Sequence, residues 1–176
     1  MTTHIPVPEF SRPFAVDRLG TAPLTETLKA TPEECAAVAK RLRLRALNSL
    51  TATVRFEWQP GGLIKVSGRL AADVVQTCVV TLVDFPSHVE DSFEVDFGDG
   101  PADFADDEIS LDIDHDPPEP IEAGAIDAGE LVTQYLSLAL DPHPRAPGAS
   151  LDPDIVESDA DALSPFAVLK QLKPPS

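Results

Sequence analysis

The densest chemistry in this 176-residue chain is a run of carboxylates. Asp112, Asp114 and Asp116 stand at alternate positions, the spacing with which hard oxygen ligands open a calcium-binding loop. The pattern then breaks. The sixth position, where such a loop needs a glycine, is Pro117, and the twelfth, where it needs a bidentate Glu, is Ala123. With Asp99, Asp103, Asp106, Asp107 and Glu108, these residues read as a solvated acidic loop and as a contact surface for a basic partner. His4, His88, His115 and His143 have no partner at helical or zinc-finger spacing. Asp96-Phe97-Gly98 repeats a kinase tripeptide without the catalytic His-Arg-Asp or a glycine-rich loop. Cys78 lies in a β-branched run with no cation near it, which predicts a buried, inert thiol with a raised pKa; Cys35 sits on the small-residue side of a helix. No nucleophile and base pair is spaced for catalysis, and Pro60-Gly61-Gly62 is turn chemistry rather than a phosphate cradle. The sequence therefore nominates no catalytic residue, metal site or cofactor, and an enzyme is the weaker class.

The charge distribution is uneven. The formal net charge is −17, yet from Lys29 to Arg69 there are eight basic residues against three acidic ones, while from Asp84 to Glu122 there are fifteen acidic residues and no Lys or Arg. A polyanionic segment repels phosphates, so any nucleic-acid contact must use the basic section or pass through a protein partner. Lys40, Arg41, Arg43, Arg45, Arg55, Lys65 and Arg69 are the candidates. Those near residue 42 also have a plainer reading, because cations at a helix C-terminus complement its dipole.

The elements that must position these groups follow from periodicity. Phe10–Val16 reads as an edge strand, since Pro13 has no N–H to donate to a ladder, and Leu24–Ala30 as a second strand. Thr31-Pro32-Glu33-Glu34 carries an N-cap, a proline at the first helical position and a capping-box Glu, predicting a helix to about Leu42. From Leu44 the apolar period becomes two: Leu50, Ala52, Val54, Phe56 and Trp58 alternate with polar residues, Gln59–Gly62 turns, and Leu63–Leu70 returns as a hairpin. The run Val74, Val75, Cys78, Val79, Val80 and Leu82 is apolar on both faces and continues as one or two strands, of which a central strand is the natural reading. His88–Phe97 alternates again, and Ile109–Ile113 reads as a short strand. A second helix starts at Asp127, with Glu130 at capping-box spacing, and stops before Pro142. Pro165–Lys173 reads as one or two amphipathic turns able to dock on a partner or on the acidic body.

Two segments carry a family resemblance. Val66 to Pro86 resembles the signature of the YceD family, the large ribosomal RNA subunit accumulation proteins, in its alphaproteobacterial form. Ile126 to Arg145 resembles the family's second segment, and Pro165-Phe-Ala-Val-Leu169 its C-terminal end. In the signature Gly68, Gln76, Cys78 and Leu82 are structural positions. The resemblance implies a bacterial cytoplasmic protein needed for normal synthesis or accumulation of 23S ribosomal RNA, with no known enzymatic reaction. Many relatives have Cys-x-x-Cys where this chain has Cys78-Val-Val-Thr81, and further cysteines where it has Leu140-Asp-Pro-His-Pro144, so no metal is carried over.

The expected fold is α+β: an antiparallel, partly barrel-like sheet packed by two main helices, with acidic loops and a flexible C-terminal tail. The expected organisation is an extended arm over 1–9, one domain over 10–148, an acidic linker over 149–164 and a tail over 165–176. No apolar run reaches the ~18 residues of a membrane span, and the N-terminus lacks a secretory pattern, so a soluble cytoplasmic protein is expected. The expected partner is large-subunit rRNA or its precursor, touched directly or through a ribosomal or transcription-associated protein. The alternative is an acidic module that binds a basic protein with no RNA contact.

Overall fold

A computed structural model describes residues 8–98 and 117–150. The expected strand Ile109–Ile113, most of the arm and acidic linker, and the amphipathic tail lie outside the described residues.

Thr31 starts α1 (Pro32–Arg41) as its residue types dictate: its hydroxyl accepts from the Glu34 N–H, and the Glu34 carboxylate accepts from the Thr31 N–H. The chain then alternates through β3 (Ala46–Trp58), β4 (Ile64–Thr77) and β5 (Asp84–Gly98), which pair antiparallel in sequence order. β2 (Leu24–Lys29) flanks β3, and the two-residue β6 (Glu119–Pro120) runs parallel to the end of β5. The sheet order is β2-β3-β4-β5-β6, and the sheet is open, so its partly barrel-like description does not hold. β1 (Pro13–Ala15) pairs with β7 (Ala125–Asp127) in a separate two-stranded ribbon rather than at an edge of the main sheet. α2 (Ala128–Ala139) follows β7 at once, capped by the Asp127 carboxylate, which accepts from the N–H groups of Gly129 and Glu130.

One face of the sheet is the core. Leu50, Ala52, Val54 and Phe56 of β3 and Ile64, Val66, Leu70, Ala72 and Val74 of β4 are all buried. They pack beneath Val38 of α1 and Val132 and Leu136 of α2, in one cluster that also takes Phe10 and Phe14. Phe14 stacks on Phe56, with centroids 4.2 Å apart, and fastens the ribbon to the sheet. Trp58, expected in the buried row, is 42% exposed at the rim, where its indole N–H donates to the Leu19 carbonyl. The central strand is shorter than expected. β4 ends at Thr77, and Cys78 to Val83 form a turn in which the Leu82 N–H donates to the Cys78 carbonyl and Leu82 takes a φ of 56°. Val79, Leu82 and Val83 are consequently exposed, because the β-branched composition that predicted a strand is overridden by the need to reverse the chain into β5.

Gly68 faces Phe93 across β4 and β5, and any Cβ on it would run into the Phe93 ring. That ring lies flat against Tyr135 of α2, with centroids 4.6 Å apart, so the missing side chain makes room for the contact joining α2 to β5. Gly68→Ala should cost about 1–3 kcal/mol by overpacking, measured by chemical denaturation, and Phe93→Leu in the same chain should recover part of the loss. A neutral Gly68→Ala would show that the ring is not seated there.

Candidate functional site

The seven candidate cations do not form one patch. Lys40 and Arg41 end α1 and Arg43 and Arg45 follow it, whereas Arg55, Lys65 and Arg69 project from the outer face of the sheet, opposite the helices. Four of the seven are bonded to the protein's own carboxylates. Arg41 makes a bidentate pair with Glu130 of α2, both contacts 2.7 Å, and reaches Glu9 at 3.0 Å. Its guanidinium is held more strongly protonated than usual, first by Glu130. Glu130 stands at capping-box spacing in α2, yet its carboxylate goes to Arg41 and leaves the capping to Asp127. Arg45 meets Asp84 at 2.9 Å, Arg55 meets Glu57 at 3.0 Å, and Lys65 meets Glu94 at 2.7 Å. The Asp84 carboxyl lies below its usual range, chiefly through the Thr77 hydroxyl and then through Arg45. Lys40, Arg43 and Arg69 have no carboxylate partner among the described residues. Arg43 adopts a φ of 56°, in the turn that carries the chain from α1 into β3.

Arg69 has the most distinctive surroundings of these three. On the outer face Thr27, Thr53, Arg69 and Ser92 stand in register across four strands. With Thr51 and Glu90 they line a shallow cavity of about 580 Å³. Arg69 is exposed there. A polar row of this kind was visible in the sequence only as the polar half of each alternating strand.

The outer face also carries a hydrogen-bonded chain that spacing did not reveal. The Ser49 hydroxyl donates to Asp73 at 2.7 Å, the other oxygen of Asp73 meets His88 Nδ1 at 2.7 Å, and His88 Nε2 meets Glu90 at 3.3 Å. Serine, aspartate and histidine are all present, but the hydroxyl is bonded to the carboxylate rather than to the imidazole, which is not the order of a Ser-His-Asp triad. The acidic candidates Asp99, Asp103, Asp106, Asp107, Glu108, Asp112, Asp114 and Asp116 lie outside the described residues. Among the described residues no three His, Cys, Asp or Glu side chains converge as metal ligands.

Of the signature residues, Gln76 and Cys78 are buried and Leu82 is exposed. Gln76 is buried at the end of β4, and its side-chain amide donates to the Asp141 carbonyl, tying the sheet to the loop after α2. Cys78 is fully buried as expected, but its pKa departs from expectation: it is lowered to about 7 rather than raised. Hydrogen bonding from Thr81 is the largest cause, and bonds from the backbone of Ala146, Thr81 and Val80 add to it, outweighing burial. The Thr81 N–H lies 3.4 Å from the sulfur. This convergence exists because residues 78–83 turn, and because the Val79 N–H binds the Pro144 carbonyl, bringing the loop after α2 against the turn.

The two segments that meet here, the turn after β4 and the loop after α2, both fall within residues 66–173, which match the family model of the large ribosomal RNA subunit accumulation protein YceD. The chain belongs to the YceD family. The match covers more than half of the chain, from near the start of β4 through α2 and beyond. It supports a role in large-subunit rRNA accumulation for this YceD-family chain. Comparison with curated proteins and with solved structures finds no match. No helix among the described residues is long and apolar enough to cross a membrane.

The His88 pairings give a pH test. Asp73 first, and Glu90 second, raise the imidazole pKa above 6.5. A raised folded pKa stabilises the protein fully below the unfolded value, and this contribution disappears as pH climbs through the folded value. NMR titration should place the His88 midpoint above 6.5, and Asp73→Asn should lower it; an unshifted His88 in the native chain would contradict the pairing.

Proposed function

We propose that the protein supports accumulation of large-subunit ribosomal RNA as a non-catalytic factor. It binds a basic ribosomal or transcription-associated protein and does not grip RNA phosphates itself. The observation that carries this reading is the pairing of Arg41, Arg45, Arg55 and Lys65 with internal carboxylates. A phosphate would have to displace those partners. Of the seven candidate cations only Lys40, Arg43 and Arg69 are left without a carboxylate among the described residues, and these three would give a salt slope of only about −2 on a single strand.

The charge balance supports the same reading. The described residues hold eleven Lys or Arg and seventeen Asp or Glu, and the rest of the chain adds two cations and thirteen carboxylates. A field of this sign speeds encounter with a basic protein and slows encounter with RNA. Direct RNA contact has one observation in its favour, the exposed Arg69, without a carboxylate partner among the described residues, in a row of hydroxyl side chains on the outer sheet face.

Capture of partners from lysate with the full chain, before and after nuclease, separates the two readings. Basic proteins should be retained after nuclease and released by raised salt. Their loss on nuclease treatment, together with salt-dependent binding of a 23S fragment that Arg69→Glu abolishes, would replace protein contact with RNA contact.

A further inference from the structure

The hydrogen-bond parity of β4 decides which backbone groups of β5 are left over. The Arg45 N–H donates to the Val75 carbonyl, so Val75 turns its backbone toward β3. Backbone groups alternate along a strand, and Val74, Ala72, Leu70, Gly68 and Val66 therefore turn toward β5. Their register partners Ser87, Val89, Asp91, Phe93 and Val95 bond back to β4. The backbones of Pro86, His88, Glu90, Ser92, Glu94 and Asp96 consequently point away from the sheet.

Three observations agree with this assignment. The Gly98 carbonyl, on the same parity, accepts from the Ile121 N–H on the side away from β4. Pro86, which has no N–H, falls in the outward row, where a proline costs no ladder bond. The Ser92 N–H is bonded to the Asp91 carboxylate at 2.8 Å, a local substitute for a neighbouring strand. Among the described residues β6 is the only strand on this side, and it covers only Phe97 and Gly98. Among the described residues the edge from His88 to Asp96 is thus nine residues of extended backbone with no strand partner on its outward side.

An open edge of this length is a template for strand addition. Its chemistry selects the occupant. β5 carries Asp84, Glu90, Asp91, Glu94 and Asp96 and no Lys or Arg, and the exposed Glu90 and Glu94 stand in the outward row. A second β5, or the acidic stretch 99–116 of this chain, would set carboxylate against carboxylate. A strand rich in Lys or Arg would place cations beside them.

We propose that the free edge of β5 between His88 and Asp96 binds a basic, extended peptide segment as an added strand. This rests on the protein-partner reading above and names the form the partner takes there. Main-chain bonds to His88, Glu90 and Glu94, and to Ser92 once its N–H leaves the Asp91 carboxylate, supply the register, and Glu90, held only by the 3.3 Å contact to His88, selects for cations.

The test uses the full chain and a ten-residue peptide alternating Lys with Thr or Val, followed by amide hydrogen exchange. The peptide should slow exchange at His88, Glu90, Ser92 and Glu94 while leaving Val89, Asp91 and Phe93, already bonded to β4, unchanged. The same peptide with alternate amides N-methylated should bind at least tenfold more weakly. Ser92→Pro, which removes an outward N–H and no ladder bond, should have a similar effect, and Glu90→Lys, which leaves the backbone untouched, should weaken binding several-fold at low salt. Binding that survives methylation, uniform protection along β5, or slow exchange at the His88, Glu90 and Glu94 amides before any peptide is added would overturn the proposal. Should the Ser92→Pro chain still capture the nuclease-resistant partners, the edge assignment fails and the protein-partner reading stands; should the native chain capture none, that reading itself fails.

Discussion

β4 has a hydrogen-bonded neighbour on each side along nearly its whole length, and its register fixes the rest of the sheet. Side chains alternate between faces with a period of two, so a slip of one residue would put Ile64, Val66, Leu70, Ala72 and Val74 into solvent and Lys65, Arg69 and Asp73 into the core. Burial of the five apolar side chains contributes about 1–3 kcal/mol each for the larger ones, enough to make the slip prohibitive. Gly68 adds a second constraint, because only a residue without Cβ admits the Phe93 ring that bears on α2. The same parity puts every described sheet cation on one outward face and leaves alternate backbone groups of β5 without a strand partner among the described residues.

The cations illustrate how folding redistributes charge. In the linear sequence they are a basic section set against an acidic one. In the folded protein Arg41 joins α1 to α2 and to the N-terminal segment, Arg45 reaches the first residue of β5, and Lys65 reaches across to Glu94. These are contacts between residues 29 to 89 positions apart, so an apparent segregation of charge becomes local neutralisation. The excess that remains is negative, and the YceD-family role in rRNA accumulation is read here through that excess.

Much of the fold was legible because local rules and burial agreed. The capping box at Thr31, the alternation in β3, the Gly-Gly turn and the Asp127 cap each have a short-range cause, and each formed. The turn at 78–83 was hidden because its residues are β-branched, and only the long-range bond from Val79 to Pro144 shows why the strand stops. The Cys78 thiol was misread for the same reason: donors from Thr81, Val80 and Ala146 reach the sulfur only once the chain has turned. The candidate site was legible as a set of residues but not as an arrangement. Spacing cannot show that Arg41 is held by Glu130 while Arg69 is exposed, or that His88 sits between Asp73 and Glu90.

The central claim is that rRNA accumulation depends on protein contact and not on Lys40, Arg43 and Arg69, the candidate cations without a carboxylate partner among the described residues. It is tested most directly in cells depleted of the protein and supplied with a chain in which Lys40, Arg43 and Arg69 are all replaced by Gln, by measuring mature and precursor 23S rRNA. The account predicts that this chain restores the 23S level as well as the native one does. A 23S level that stays at that of the depleted cells, with the substituted chain folded and present in normal amount, would contradict it.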